Sequence, residues 1–331
     1  MKKKGLLFVM LVLLLVGLVA CGGGEEADDS GTFRVAVIMP SATNDLAFSQ
    51  SMFDALTEIQ TEMGAENFEF VFADNSFVVE DAAAAIRDWA SQDYDLIIAH
   101  GSQYGASLQE IAPDFPEVSF AWGTAGDTFG LDNVYAYEAQ SDEGGYVLGV
   151  LAASMTESGV IGVVGPLEVG DAKLYVDGFR AGVTATNAAA QVNVNYIGSF
   201  SDVALATEAA NTHADAGADV LTGSAQMVVG AVGVAKERGA LWFGTQSNQT
   251  SLAPEVVVAS QVYDWTVVLN DIISNVQDGT LGGEAYLITL ANNGLVIEYN
   301  DAYSVPAEAK AAADAAIAEL VDGSISTGIG E

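Results

Sequence analysis

Basic residues are scarce in this chain: 10 Lys+Arg stand against 45 Asp+Glu in 331 residues, a formal net charge of −35. A surface of that sign repels nucleic acid and anionic lipid headgroups, which excludes both as the basis of function. Histidine and cysteine are scarcer still, with two and one. Zinc-type clusters cannot be assembled from so few ligands, and a Ser–His–acid triad would have to use His100 or His213. His213 falls in an expected helix. His100 ends an expected strand, where an imidazole is more often a hydrogen-bonded structural group than a base. Neither the G-x-x-x-x-G-K-S/T phosphate loop nor G-x-G-x-x-G occurs. The many carboxylates could supply a glycosidase-type pair, but among 45 acids such a pair can arise by accident. No cofactor, metal site or catalytic residue is expected. What the chain does have is bulk: half its residues are hydrophobic, and its length allows two or three compact units with real cores.

Lys2, Lys3 and Lys4 precede an apolar run of fifteen residues, Leu6 to Ala20. This is the layout of a secretory signal, and the run is short for a membrane span, which needs about 20 apolar residues. It ends in Leu18-Val19-Ala20-Cys21, which resembles the bacterial lipobox and makes Cys21 the expected lipidation site. Residues 1–20 are thus read as a lipoprotein signal peptide. Residues 21–32, with Gly22–Gly31 free of large apolar side chains, are read as the lipidated cysteine and a flexible tether. Processing there removes the three lysines and takes the net charge to −38. No second cysteine remains to form a disulfide, so packing must supply the stability.

From Phe33 onward, apolar β-type runs alternate with helical periodicities: Phe33–Met39, Phe68–Ala73, Asp95–Ala99 and Val118–Trp122 are strands, with helices between them. A second series begins at Val160–Val164. The two series superpose, because Pro40, Asp45 and Phe53 meet Pro166, Asp171 and Phe179 at an offset of 126. Gly101-Ser102-Gln103 and Gly223-Ser224-Ala225-Gln226 follow at 122, and Trp122-Gly123-Thr124 and Phe243-Gly244-Thr245 at 121. The prediction is α/β: two doubly wound parallel-sheet lobes with a hinge. A tail of strands and helices after residue 256 crosses back to complete both. The lobes are expected at 33–138 plus about 262–292, and 139–261 plus about 293–331. Ligands of such sheets bind beyond the carboxyl ends of the strands.

Polar clusters fall at those ends. Asp45, Phe48, Ser49 and Gln50 offer carboxylate, hydroxyl and amide beside an aromatic ring. A ring can stack on a flat ligand while polar groups fix its edge, although Asp45 could equally cap a helix and Phe48 pack inside it. Gln103 and Tyr104 follow the third strand, and Gln226 and Met227 take the matching place in the second series. Trp122, Gln246 and Asn248 end further strands. Trp265 at the start of the tail helix is either a wall of the site or core between tail and lobe. Uncharged amides around aromatic rings suit a neutral, planar ligand better than a phosphate or carboxylate, which would call for Arg or a helix N-terminus.

Asp45-x-x-Phe48-Ser49-Gln50, Glu143-Gly144-Gly145-Tyr146-Val147-Leu148-Gly149 and Asp177-Gly178-Phe179-Arg180-Ala181-Gly182 stand in order with Phe243-Gly244-Thr245-Gln246-Ser247-Asn248-Gln249. With the lipobox, this set resembles the basic membrane lipoprotein family, the purine-nucleoside-receptor type of ABC transporter substrate-binding protein. The resemblance implies a type I periplasmic-binding-protein fold, hinge closure on the ligand, and delivery to a membrane permease. It also implies stacking of a base on Phe48, with Asp45 and Ser49 at polar edges. Where nucleoside binders of the family often show G-V-D-x-D-Q, with the first Asp on ribose, this chain has Thr245-Gln246. Their S-x-x-K is here Ser260-Gln261-Val262-Tyr263. A free purine base, or riboflavin, therefore stands beside a purine nucleoside as the expected ligand. The expected partners are that small molecule, the permease, and the membrane through the lipid alone, on the extracytoplasmic face of the cell membrane. A surface nucleoside hydrolase and a ligand-free sensor or adhesin are the readings of other classes. The carboxylate excess further points to a life in high salt, where counterions screen self-repulsion.

Overall fold

The computed structural model describes residues 31–329, so the signal segment, Cys21 and most of the tether lie outside the described residues. Two six-stranded sheets form the body. The first holds β1 (Phe33–Ile38), β2 (Phe68–Ala73), β3 (Leu96–His100), β4 (Ser119–Gly123), β5 (Val134–Ala139) and β11 (Ala285–Ile288). The second holds β6 (Val160–Gly165), β7 (Gln191–Tyr196), β8 (Val220–Gly223), β9 (Leu241–Gln246), β10 (Val257–Tyr263) and β12 (Leu295–Tyr299). Their orders are β11-β5-β4-β3-β1-β2 and β12-β10-β9-β8-β6-β7, the same winding twice. Every pairing is parallel except β10 with β12. Central strands such as Leu96–His100 are buried throughout, as a parallel sheet covered by helices on both faces requires.

β10 takes in the second sheet the place that β5 holds in the first, so it completes the second repeat. Beyond it the chain runs through α8 (Thr266–Gln277) and β11 beside the first sheet, then returns through β12 and α9 (Ala307–Val321) to the second. The chain thus passes between the sheets three times: after β5, after β10, and between β11 and β12.

The hydrophobic periodicity of the sequence does not predict α4 (Ser141–Met155), because this helix is buried on nearly every side and has no polar face to mark a period. Its Gly145 lies against α5 (Gly170–Thr186), where a Cβ would sit 2.5 Å from the Tyr175 carbonyl oxygen. Gly149, Gly178 and Gly182 meet backbone across the same contact. Gly145 and Gly149 of the first family-like stretch and Gly178 and Gly182 of the second are thereby explained as the close crossing of two helix backbones, while Gly144 makes room for the Gln261 side chain.

Candidate functional site

Both sheets turn the carboxyl ends of their strands to a common cleft. From the first come Pro40 after β1, Gly101 to Gln103 after β3 and Thr124 after β4; from the second, Gly170 and Asp171 after β6, Ala225 and Gln226 after β8, and Gln246 at the end of β9. The gaps between β1 and β3 and between β6 and β8 are the points where the winding of each sheet reverses, the usual ligand position in such folds. The cleft spans about 440 Å³ free of protein atoms, part of it open to solvent, and it is called the slot below.

Phe48 begins α1 (Phe48–Met63) and lines the slot. Its ring stacks on His100 with centroids 4.0 Å apart and planes 11° apart. His100 is fully buried, and burial takes its pKa down to about 3, so it stays neutral. Its Nε2 faces the Phe48 carbonyl oxygen at 3.2 Å, which can only accept, so this nitrogen carries the proton. Nδ1 then accepts from Tyr137 Oη at 2.9 Å. His100 is a support for the aromatic wall and keeps one protonation state near neutral pH. Phe77 and Phe200 add further aromatic surface to the slot.

The second lobe provides the polar floor. Asp171 is 7% exposed and accepts from Gln246 Nε2 at 3.1 Å, Tyr263 Oη at 3.0 Å and, across the cleft, Thr124 Oγ1 at 3.3 Å. Burial raises its pKa, against the opposing effect of those three donors. Among the described residues lining the slot it is the only charged one, and no Lys, Arg or His joins it. Such a lining disfavours an anionic ligand and suits one that brings hydrogen-bond donors. Two residues of the floor hold unusual backbone: Ala225 at φ 71°, ψ 172° and Gln246 at φ 75°. Non-glycine residues in these regions cost about 1–3 kcal/mol each and cluster at ligand sites.

Of the twelve residues expected to bind ligand, the structure brings Phe48, Gln103, Gln226 and Gln246 together in the slot. Tyr104 and Met227 directly follow two of them and turn into the core, Tyr104 with its hydroxyl on the Ser76 carbonyl. Asp45 is taken up by its own loop, accepting from Ser41 Oγ and from the N–H groups of Ala47, Ser49 and Gln50. Ser49 bonds Ser41. Trp122 stacks on Phe129 and donates to the Gly101 carbonyl. Trp265 is fully buried, with its indole N–H on Ser51 Oγ. Gln50 and Asn248 line a separate hollow beside Asp54 and Asp264. Asp171, Thr124 and Phe200 are absent from the expected set. The signal for Asp171 is present in the sequence, since the repeat offset pairs it with Asp45.

The family described as "ABC transporter substrate-binding protein PnrA-like" matches residues 32–319. This chain belongs to that family. As a member it is a substrate-binding protein of the ABC transporter type, a family of solute binders and not of enzymes. It is similar to the purine-binding protein BAB2_0673 of Brucella abortus, 28% identical over 270 residues, which cover 82% of this chain and 75% of that one. It is also similar to the transcriptional activator protein med of Bacillus subtilis, 25% identical over 88% of both chains. Among solved structures, an ABC transporter solute-binding protein from Conexibacter woesei aligns with TM-score 0.73 at 25% identity, covering 89% of this chain and 98% of that one. One from Aeropyrum pernix aligns at 0.77 and 20%, covering 89% and 92%, and supports the fold.

Proposed function

We propose that this substrate-binding protein takes a neutral purine base or purine nucleoside into the slot, closes its two lobes upon it, and passes it to an ABC permease. The observation that carries this reading is the lining itself. Aromatic surface from Phe48, Phe77 and Phe200 stands beside the amides of Gln103, Gln226 and Gln246, with one buried carboxylate and, among the described residues, no cation. A lining of that make-up suits a flat heteroatom-rich ring, since stacking supplies affinity while uncharged donors and acceptors fix the edge. The Brucella relative named for purine binding supports the same class. Closure is proposed about the three passages between the lobes, the first lobe comprising 33–138 with about 262–292 and the second the remainder.

Native mass spectrometry of the full-length protein purified in mild detergent, followed by ultraviolet absorption of the released molecule, tests the reading. A purine mass and spectrum is expected. A flavin would overturn the ligand while leaving the transport role. An empty protein whose Tm is unmoved by purines would overturn both, because a ligand at about 100 times its Kd should stabilise by about 2.7 kcal/mol. We also propose that Cys21 carries the lipid anchor; Cys21→Ser should release the protein from the membrane fraction.

A further inference from the structure

Among the described residues, two buried side-chain atoms that lack any hydrogen-bond partner belong to the lining of the slot: Gln226 Nε2 and Gln246 Oε1. Gln246 is 2% exposed, so water does not serve its oxygen from bulk. Which end of this amide is free is decided by its neighbour. Asp171 Oδ2 can only accept as a carboxylate, so the Gln246 end that meets it at 3.1 Å is Nε2, and Oε1 is left over. Asp171 is itself held by Tyr263 and Thr124, both donating to it. Burial raises the Tyr263 pKa well above its ordinary value, which keeps that hydroxyl a donor. The Gln246 backbone, at φ 75°, fixes the root of the same side chain.

We propose that Asp171 is a positioning residue: it sets the sense of the Gln246 amide so that the carbonyl oxygen faces the ligand, and the slot thereby selects a neutral flat ligand bearing an O–H or N–H donor at that point. The free Gln226 Nε2 supplies the complementary donor for a ligand acceptor. The inference rests on the purine reading above and names how that site discriminates. A sugar hydroxyl and a ring N–H share the required chemistry, and the test separates them.

Binding of inosine, 2′,3′-dideoxyinosine and hypoxanthine to the full-length protein in detergent is measured by calorimetry for the unmutated chain, Gln246→Ala, Asp171→Ala and the double variant, each first checked for a cooperative melt. Gln246→Ala should weaken inosine about tenfold, the scale of one lost hydrogen bond. A loss that vanishes with dideoxyinosine assigns the donor to the sugar; one that persists with hypoxanthine assigns it to the ring. Asp171→Ala should weaken inosine in the normal background and have little further effect once Gln246 is Ala, a coupling that a merely structural Asp171 would not show. Asp171→Asn takes its place in the cycle if the alanine variant does not fold. Unchanged inosine affinity in Gln246→Ala, or losses that simply multiply in the double variant, would overturn the proposal. Failure of all three ligands to bind the unmutated protein would instead overturn the purine reading beneath it.

Discussion

Asp45 and Asp171 occupy matching places in the two halves of the chain, 126 residues apart, at the head of the helix that follows the first strand of each sheet. Asp45 bonds only to its own loop, through Ser41 Oγ and three backbone N–H groups within five residues. Asp171 bonds to side chains 47, 75 and 92 residues away. One carboxylate shapes the loop that delivers Phe48; the other organises the floor of the slot and ties the lobes across it. The lobes differ in the same sense. The first presents the Phe48 ring over a settled base, with both nitrogens of His100 satisfied, and the second presents Gln226 and Gln246, whose amides have unmet bonds beside unusual backbone at Ala225 and Gln246. A repeated architecture can thus keep a residue and change its task, because the task depends on which partners the fold brings near.

The contrast can be broken most directly at the ring. Phe48→Ala should lower affinity for a purine ligand by about a hundredfold, since base stacking on an aromatic side chain is worth about 1–3 kcal/mol and the wall behind it would relax. Calorimetry showing affinity within threefold of the unmutated protein would mean that the first lobe does not carry the stacking. Next in size, Asp45→Ala should cost about 1–2 kcal/mol of stability, as loss of a helix-capping carboxylate does, while leaving the preference among purine ligands unchanged. Denaturant unfolding paired with a ligand panel reads both, and a shifted preference would erase the distinction from Asp171.

Acid should act on the two aspartates in one direction. Burial raises both pKa values in the folded protein. Between the unfolded value, near about 3.9, and the raised folded value, the folded state therefore holds more protons than the unfolded one. Stability from these groups grows as pH falls from 7 through the folded values and levels off below about 3.9. Asp219 runs the other way: burial is outweighed by bonds from Thr156, Glu157 and Ser158, its pKa is lowered, and its contribution is lost only at still lower pH. Differential scanning calorimetry should show Tm rising as pH falls from 7 toward the ordinary carboxylate range, and rising less in Asp171→Asn and in Asp45→Asn than in the parent. A falling Tm across that window would contradict the burial argument. The smallest effect concerns the exposed carboxylates: raising NaCl from low to molar levels should lift Tm by a few degrees through screening, and should do so equally in Asp45→Asn and Asp171→Asn. A Tm that falls with salt would remove the high-salt reading.

The winding of the fold was legible because its carriers are local. Strand and helix periods lie within a few residues, and the repeat offset can be read by eye from Pro40, Asp45 and Phe53 against Pro166, Asp171 and Phe179. α4 was not, since a helix buried on nearly every side and interspersed with glycines shows no period. In the site, the pairs Gln103-Tyr104 and Gln226-Met227 mark the limit of linear reading: in each, the first residue faces the slot and the second the core, an alternation set by the short turn after the strand.

By itself, the sequence determined the α/β class, the doubled winding, the acidic surface, and the placement of amides and rings at strand ends, because hydrophobic period, charge and loop composition are properties of neighbouring residues. Only the tertiary structure decided that Asp45 serves its loop, that Trp265 lies in the core, and that Asp171 meets Thr124, Gln246 and Tyr263. The direction of a side chain and the filling of its hydrogen bonds depend on packing between elements far apart in the chain, and local pattern carries no record of those distances.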